Sequence, residues 1–144
     1  MLKDFIYLKE KNLKDIIELL LKAYSSSFSD SEQTLKRNHL GKAHHRLIIL
    51  LDNNPGIKVT EILNHLKVTK QSLNRVIQDL LKNQLIVQKK GIKDGREKEI
   101  FLSDKGTELS NNLFNSQKTR ILNALKKSSP DEVLYFKNVL KRIL

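Results

Sequence analysis

Two short amphipathic stretches, separated by a gap too small for a flexible linker, constrain this chain more than any other feature. In residues 69–81 the apolar side chains are Leu73, Val76, Ile77, Leu80 and Leu81, at offsets of three, four, seven and eight from Leu73. That spacing is one face of an α-helix, and Thr69 stands where it can cap the first turn. Residues 59–66 repeat the pattern through Val59, Ile62, Leu63 and Leu66. After the second stretch the period changes. Residues 85–90 and 98–102 read as short strands, joined by a turn on Gly91-Ile92-Lys93-Asp94-Gly95-Arg96. Two helices joined by a tight turn and followed by a hairpin form the plan of a winged helix-turn-helix.

The flanks read as helical. From residue 4 to 24, Phe5, Leu8, Leu13, Ile16, Ile17, Leu20 and Leu21 keep a helical spacing. Ser25-Ser26-Ser27 is expected to end that helix, leaving residues 25–31 as a polar connector around Phe28. A helix over 40–52 follows, stopped by Asn53-Asn54-Pro55-Gly56. Beyond the hairpin, Ser103 can cap a helix over 104–127 that contains Leu109, Leu113, Phe114, Ile121, Leu122 and Leu125. Ser129-Pro130-Asp131-Glu132 opens the last helix with a capping box, a proline in the first turn and two acids at the positive end of the dipole. The expected order is four helices, a hairpin and two helices. The fold class is mainly α with a small β-hairpin wing, a winged helix-turn-helix domain plus a helical dimerisation region. It is read as one domain over 1–144, with residues 40–104 as the DNA-binding part and residues 4–28 and 105–144 as the dimerisation part.

With 27 Lys+Arg against 16 Asp+Glu, the chain carries a formal charge of +11. Such a surplus draws polyanions, either nucleic acid or an anionic membrane. No apolar run approaches the ~18 residues needed to cross a bilayer. Met1-Leu2-Lys3-Asp4-Phe5 lacks the hydrophobic stretch of a targeting segment and reads as part of the folded protein. The absence of Cys removes disulfides, thiolate metal sites and thiol nucleophiles, and is consistent with a reducing cytoplasm. There is no glycine-rich phosphate loop and no nucleophile elbow, so no enzyme and no cofactor is expected. His44 and His45 are adjacent on a helix, where side chains diverge by about 100°. Neither those two nor His39 and His65 suggest a metal site; His44 or His45 is instead a candidate to line an effector pocket.

Location of the charge decides between the polyanions. With the leucine face of 69–81 turned inward, the opposite face shows Lys70, Gln71, Asn74, Arg75 and Gln78, with Thr69 and Ser72 at its start and no acid before Asp79. Arg pairs with guanine edges, Asn and Gln pair with adenine, and Lys and Ser take phosphates or bases. The hairpin supplies a second contact. Lys89, Lys90, Lys93, Arg96 and Lys98 cluster around its tip, where Arg96 could enter a minor groove. Asp94 can hold the Arg96 guanidinium or brace the loop. Double-stranded DNA is therefore the expected partner. A protein-interaction module with an acidic partner, or nonspecific nucleic-acid binding, are the other readings.

Over almost its whole length the chain resembles the MarR-type (multiple antibiotic resistance regulator) transcription factors. The resemblance rests on Val59-Thr60-Glu61-Ile62-Leu63 and Val68-Thr69-Lys70-Gln71-Ser72-Leu73 for the helix-turn-helix. For the wing and the helix after it, the matching residues are Asp94-Gly95-Arg96 and Leu102-Ser103-Asp104-Lys105-Gly106. Gly41-Lys42-Ala43-His44-His45-Arg46 lies outside the general pattern and is closer to a subgroup linked to regulation of photosynthetic electron transport. The resemblance implies a sequence-specific transcriptional regulator, a homodimer whose first and last two helices interlock over a pseudo-palindromic operator. It puts Lys70, Gln71, Ser72, Asn74 and Arg75 in the major groove and Arg96 in the minor groove. Relatives often bind small aromatic acids, but an effector for this chain is not legible. Lys67 and Gln84 stand where many relatives have Gly. A left-handed backbone would be strained there, so those two turns are expected to differ in shape.

The dimer also has a physical argument. The first helix and the last two carry apolar stripes that one small winged domain cannot easily cover. A twofold pair would bury them and would set two recognition helices about 34–36 Å apart, one turn of DNA.

Overall fold

The computed structural model describes residues 5–144; the reading of Met1–Asp4 lies outside them, and the helix expected from residue 4 begins only at Glu10, because Lys9 is extended and Phe5 and Leu8 stand before it. A 3₁₀ turn, Ile6–Leu8, precedes seven α-helices and three strands. In chain order these are α1 (Glu10–Ser29), α2 (Glu32–Arg37), α3 (Lys42–Asn53), β1 (Ile57–Lys58), α4 (Val59–Leu66), α5 (Lys70–Lys82), β2 (Ile86–Lys90), β3 (Lys98–Leu102), α6 (Asp104–Lys126) and α7 (Pro130–Ile143). They divide into two compact units: residues 5–31 with 116–144, and Glu32–Asn115.

The second unit holds the core. Leu47, Ile48 and Leu51 of α3 meet Ile62 of α4, Leu73, Ile77 and Leu80 of α5, and Ile100 of β3, all fully or nearly fully buried. Each comes from the apolar stripe of its helix or the inward face of its strand, so hydrophobic burial fixes how α3, α4 and α5 face one another. The strands form an antiparallel sheet in the order β1-β3-β2, with Ile57 opposite Ile100 and Gln88 opposite Ile100 on its other side. The expected two-stranded hairpin is thus a three-stranded sheet. Its extra strand has two residues, too few to show an alternation in sequence.

Other helix boundaries also differ from expectation. The serines do not end α1, which continues through Ser25-Ser26-Ser27 to Ser29. Serine in a helix costs only a few tenths of a kcal/mol relative to good formers. Here the Tyr24 and Phe28 rings, one turn apart, pack across the serines at 4.5 Å between centroids. Gln117 of α6 adds a hydrogen bond from Nε2 to the Ser27 carbonyl at 2.9 Å. Helix α2 was not expected at all, because its six residues contain one buried anchor, Leu35, and no period. The chain leaves it through His39 with φ 56°, and Leu40 N–H returns to the Leu35 carbonyl at 2.9 Å. Leu40 therefore precedes α3, whose N-cap is Gly41.

The expectation for Lys67 and Gln84 is also corrected. Both turns keep the left-handed backbone, with φ 50° and 58°, although neither residue is Gly. At the end of α4, Lys67 N–H bonds the Leu63 carbonyl at 2.9 Å; after α5, Gln84 N–H bonds that of Leu81 at 2.9 Å. Val68, packed against the core after Lys67, and the buried Leu85 after Gln84 hold the chain to that path, so the turn geometry wins over the residue's preference.

The first unit contains α1, α7 and the later part of α6. Among its described residues only Ser31 is buried. Its elements are tied by the fork of Arg120 onto Asp30, with Nε to Oδ2 at 2.6 Å and a second nitrogen to Oδ1 at 3.0 Å. Helix α7 starts as expected: Ser129 Oγ accepts from Glu132 N–H at 3.2 Å, and the Glu132 carboxylate accepts from Ser129 N–H at 2.6 Å.

Candidate nucleic-acid interface

The surface expected to meet DNA begins at the cap of α5. Thr69 Oγ1 accepts the Ser72 amide at 3.1 Å, while its hydroxyl donates to Ser72 Oγ at 2.8 Å. Ser72 is thereby occupied locally, and its hydroxyl hydrogen remains available to an incoming acceptor. Because Leu73, Ile77 and Leu80 are buried, helical geometry sends Lys70, Gln71, Asn74, Arg75 and Gln78 outward, and all five are exposed. Among the described residues, none of the basic side chains on this face is paired with a carboxylate.

The wing turn is braced by backbone. Asp94 Oδ1 accepts the Arg96 amide at 2.9 Å, Glu97 N–H reaches the Asp94 carbonyl at 3.1 Å, and Gly91 N–H reaches the Glu97 carbonyl at 2.7 Å. Of the two roles considered for Asp94, the structure shows loop bracing; the Arg96 guanidinium stays exposed. A side chain at Gly91 would meet the Asp94 carbonyl oxygen at 2.9 Å, which explains a glycine at this closure. Lys90, Lys93, Asp94 and Lys98 are exposed on the same turn. Lys89 is also exposed, but its ammonium lies 4.9 Å from the centroid of the Phe101 ring, a cation–π contact that holds it near the sheet.

Helix and wing come together. Lys70, Asn74 and Gln78 of α5 line one open recess of about 550 Å³ with Arg96 and Lys98. Gln71, Arg75, Lys90 and Lys93 lie outside that recess. Four of its polar lining residues, Lys58, Thr60, Gln88 and the acid Glu97, were not among the contacts expected from sequence. Their signal was weak, since two of them sit beside or within the two-residue strand. Lys58 has a visible task there: its ammonium pairs with Glu97 at 2.6 Å, tying β1 to the base of the wing. That hydrogen bond raises the Lys58 pKa above its ordinary value.

The two adjacent histidines separate as helical geometry requires. His45 is buried in the core. His44 turns toward α5, its Nδ1 accepting Gly41 N–H at 3.0 Å and its Nε2 lying 3.0 Å from Asp79 Oδ2.

Comparison with known proteins gives the family and the fold. Residues 40–97 match the sequence pattern of the MarR family. The chain is 34% identical over 139 residues to the HTH-type transcriptional regulator PetP of Rhodobacter capsulatus, covering 96% of this chain and 84% of that protein. The chain belongs to the MarR family. It is a DNA-binding helix-turn-helix transcriptional regulator, and the family is one of regulators without enzymatic activity. Solved structures share the fold at low identity. NadR in complex with 4-hydroxyphenylacetate superposes with a TM-score of 0.79 at 20% identity, covering 89% of this chain and 91% of that one. A MepR mutant from S. aureus bound to an oligodeoxyribonucleotide gives 0.61 at 17% identity, covering 89% and 94%. Among the described residues of this MarR-family chain, no helix is long and apolar enough to cross a membrane.

Proposed function

We propose that the protein acts in the cytoplasm as a homodimer that reads a pseudo-palindromic operator. Each α5 would lie in a major groove and each wing would follow the adjacent backbone, with Arg96 in the minor groove. The observation that carries this reading is the single recess shared by Lys70, Asn74 and Gln78 from the helix and Arg96 and Lys98 from the wing. Base-reading amides and phosphate-binding cations thus converge on one concave face. Thr69, Lys70, Gln71, Ser72, Asn74, Arg75 and Gln78 are the helix contacts of this reading, and Lys89, Lys90, Lys93, Asp94, Arg96 and Lys98 those of the wing.

Pairing of two chains is supported by the unit made of residues 5–31 and 116–144. Leu13, Ile16, Ile17 and Leu20 of α1, and Leu134, Phe136, Val139 and Ile143 of α7, are each at least 36% exposed in the single chain. An apolar surface of this extent belongs to an interface. Since NadR is solved with 4-hydroxyphenylacetate, small aromatic acids are the class to test as effectors.

Charge reversal tests the reading surface. Arg75→Glu and Arg96→Glu should each weaken binding to a preferred duplex at least roughly tenfold, as expected for a lost charged contact plus repulsion by phosphate. Unchanged affinity in both variants would remove this face from the interface.

A further inference from the structure

Helix α5 contains one carboxylate, Asp79, four residues after Arg75. At that spacing two side chains on a helix are neighbours, and an acid and a base there pair with each other. An Arg75 held by Asp79 would be partly neutralised and drawn along the helix, away from a base edge or phosphate. The structure shows a different arrangement. Asp79 Oδ2 is 3.0 Å from His44 Nε2 of α3, and Arg75 is exposed with no carboxylate partner among the described residues.

The histidine is set for this role by its other nitrogen. Gly41 N–H donates to Nδ1 at 3.0 Å, so the ring proton of a neutral His44 sits on Nε2, facing Asp79 as a donor. The amide at the start of α3 thus selects the tautomer that occupies Asp79, and no added proton is needed. His44 is mostly covered, its side chain 17% exposed against 49% for Asp79. The fixed partner of the pair is therefore the ring, and the carboxylate is the group held.

We infer that His44 is a positioning residue for DNA recognition, which sequesters Asp79 and so leaves Arg75 free for DNA. The inference rests on the proposed use of α5 as the recognition helix. It also gives a task to the capping contact between Gly41 and His44 at the start of α3.

Asn and Gln separate the two bonds of the ring, because the Asn amide reaches the place of Nδ1 and the longer Gln amide that of Nε2. His44→Asn keeps an acceptor for Gly41 and releases Asp79; His44→Gln keeps a donor for Asp79. Affinity for a duplex selected from random DNA is measured for both. We expect His44→Asn to lose roughly tenfold, the effect of one compromised arginine contact, and His44→Gln to bind within about twofold of wild type. Removing the released acid in His44→Asn/Asp79→Ala should restore wild-type affinity, which repair of a merely structural defect would not do. In an Arg75→Ala background, His44→Asn should have no further effect. Wild-type binding by His44→Asn, or no recovery in the double variant, would overturn the inference while leaving α5 as the reading helix. Wild-type binding by Arg75→Ala would also overturn the inference, whereas the use of α5 itself falls only if Arg75→Glu and Arg96→Glu both bind as wild type.

Discussion

Replacing Gly106 with alanine should loosen the joint between α6 and the wing. A methyl group at Gly106 would stand 1.9 Å from the Leu85 carbonyl oxygen and 2.9 Å from its carbonyl carbon. Ordinary contact begins near 3.4 Å, so the helix start and the base of β2 would have to part by about 1.5 Å. That oxygen also accepts the Ser103 amide at 3.0 Å. The Ser103 hydroxyl donates to the Gln84 carbonyl at 2.7 Å and accepts Gly106 N–H at 3.0 Å. Forcing an extra carbon into packed backbone costs about 1–3 kcal/mol, and weakening two of these hydrogen bonds about 1 kcal/mol each. Alanine's better helix propensity returns about 1 kcal/mol. The net loss is roughly 2–4 kcal/mol, or about 5–15 °C in Tm for a chain of this size. Urea unfolding and thermal melts at one fixed chain concentration measure it, with Gly95→Ala, which meets nothing within 4 Å, as the control. If Gly106→Ala melts within about 2 °C of wild type, the close approach of Leu85 does not constrain that position.

The two left-handed turns predict the opposite sign. Lys67→Gly and Gln84→Gly remove strain at φ 50° and 58°, and each should stabilise the protein by roughly 0.5–1 kcal/mol, seen as a higher urea midpoint. The acid response follows from two carboxylates. Hydrogen bonding from Ser129 holds Glu132 below its ordinary 4.5, and the Arg120 guanidinium holds Asp30 below 3.8. Their ionised forms are favoured on folding, so their contribution is whole above those ordinary values and fades as pH falls through the lower folded ones. Urea midpoints measured down the acid range should fall less steeply for Glu132→Gln/Asp30→Asn than for wild type. Finally, Phe136→Asp on the exposed face of α7 should shift sedimentation from dimer to monomer and weaken operator binding. A wild-type protein that sediments as a monomer would contradict the pairing.

How much of this was legible in sequence differs by element. The stripe from Leu73 to Leu81 announced α5, because a thirteen-residue helix buried on one side must repeat its apolar residues every three or four positions. The cap at Thr69 and the box at Ser129 were equally plain, since capping uses few residue types at fixed offsets. Other features depend on partners distant in sequence. The course of α1 through three serines is supported by Tyr24 and Phe28 and by Gln117, and the last lies on another helix. Strand β1 exists because β3 pairs with it, and α2 is anchored by Leu35 alone. At the candidate interface, the exposed residues of α5 and the wing followed from periodicity. The recess that joins them, the Lys58–Glu97 tie and the His44–Asp79 pair required the tertiary fold, since each links elements far apart in the chain.

Selection of bound duplexes from random DNA tests the central claim most directly, because it reports sequence choice and symmetry together. Two α5 helices reading DNA from one twofold dimer should enrich an inverted repeat whose half-site centres lie about one helical turn, 10–10.5 base pairs, apart. Enrichment of no sequence at all, or of a lone asymmetric site, would contradict it.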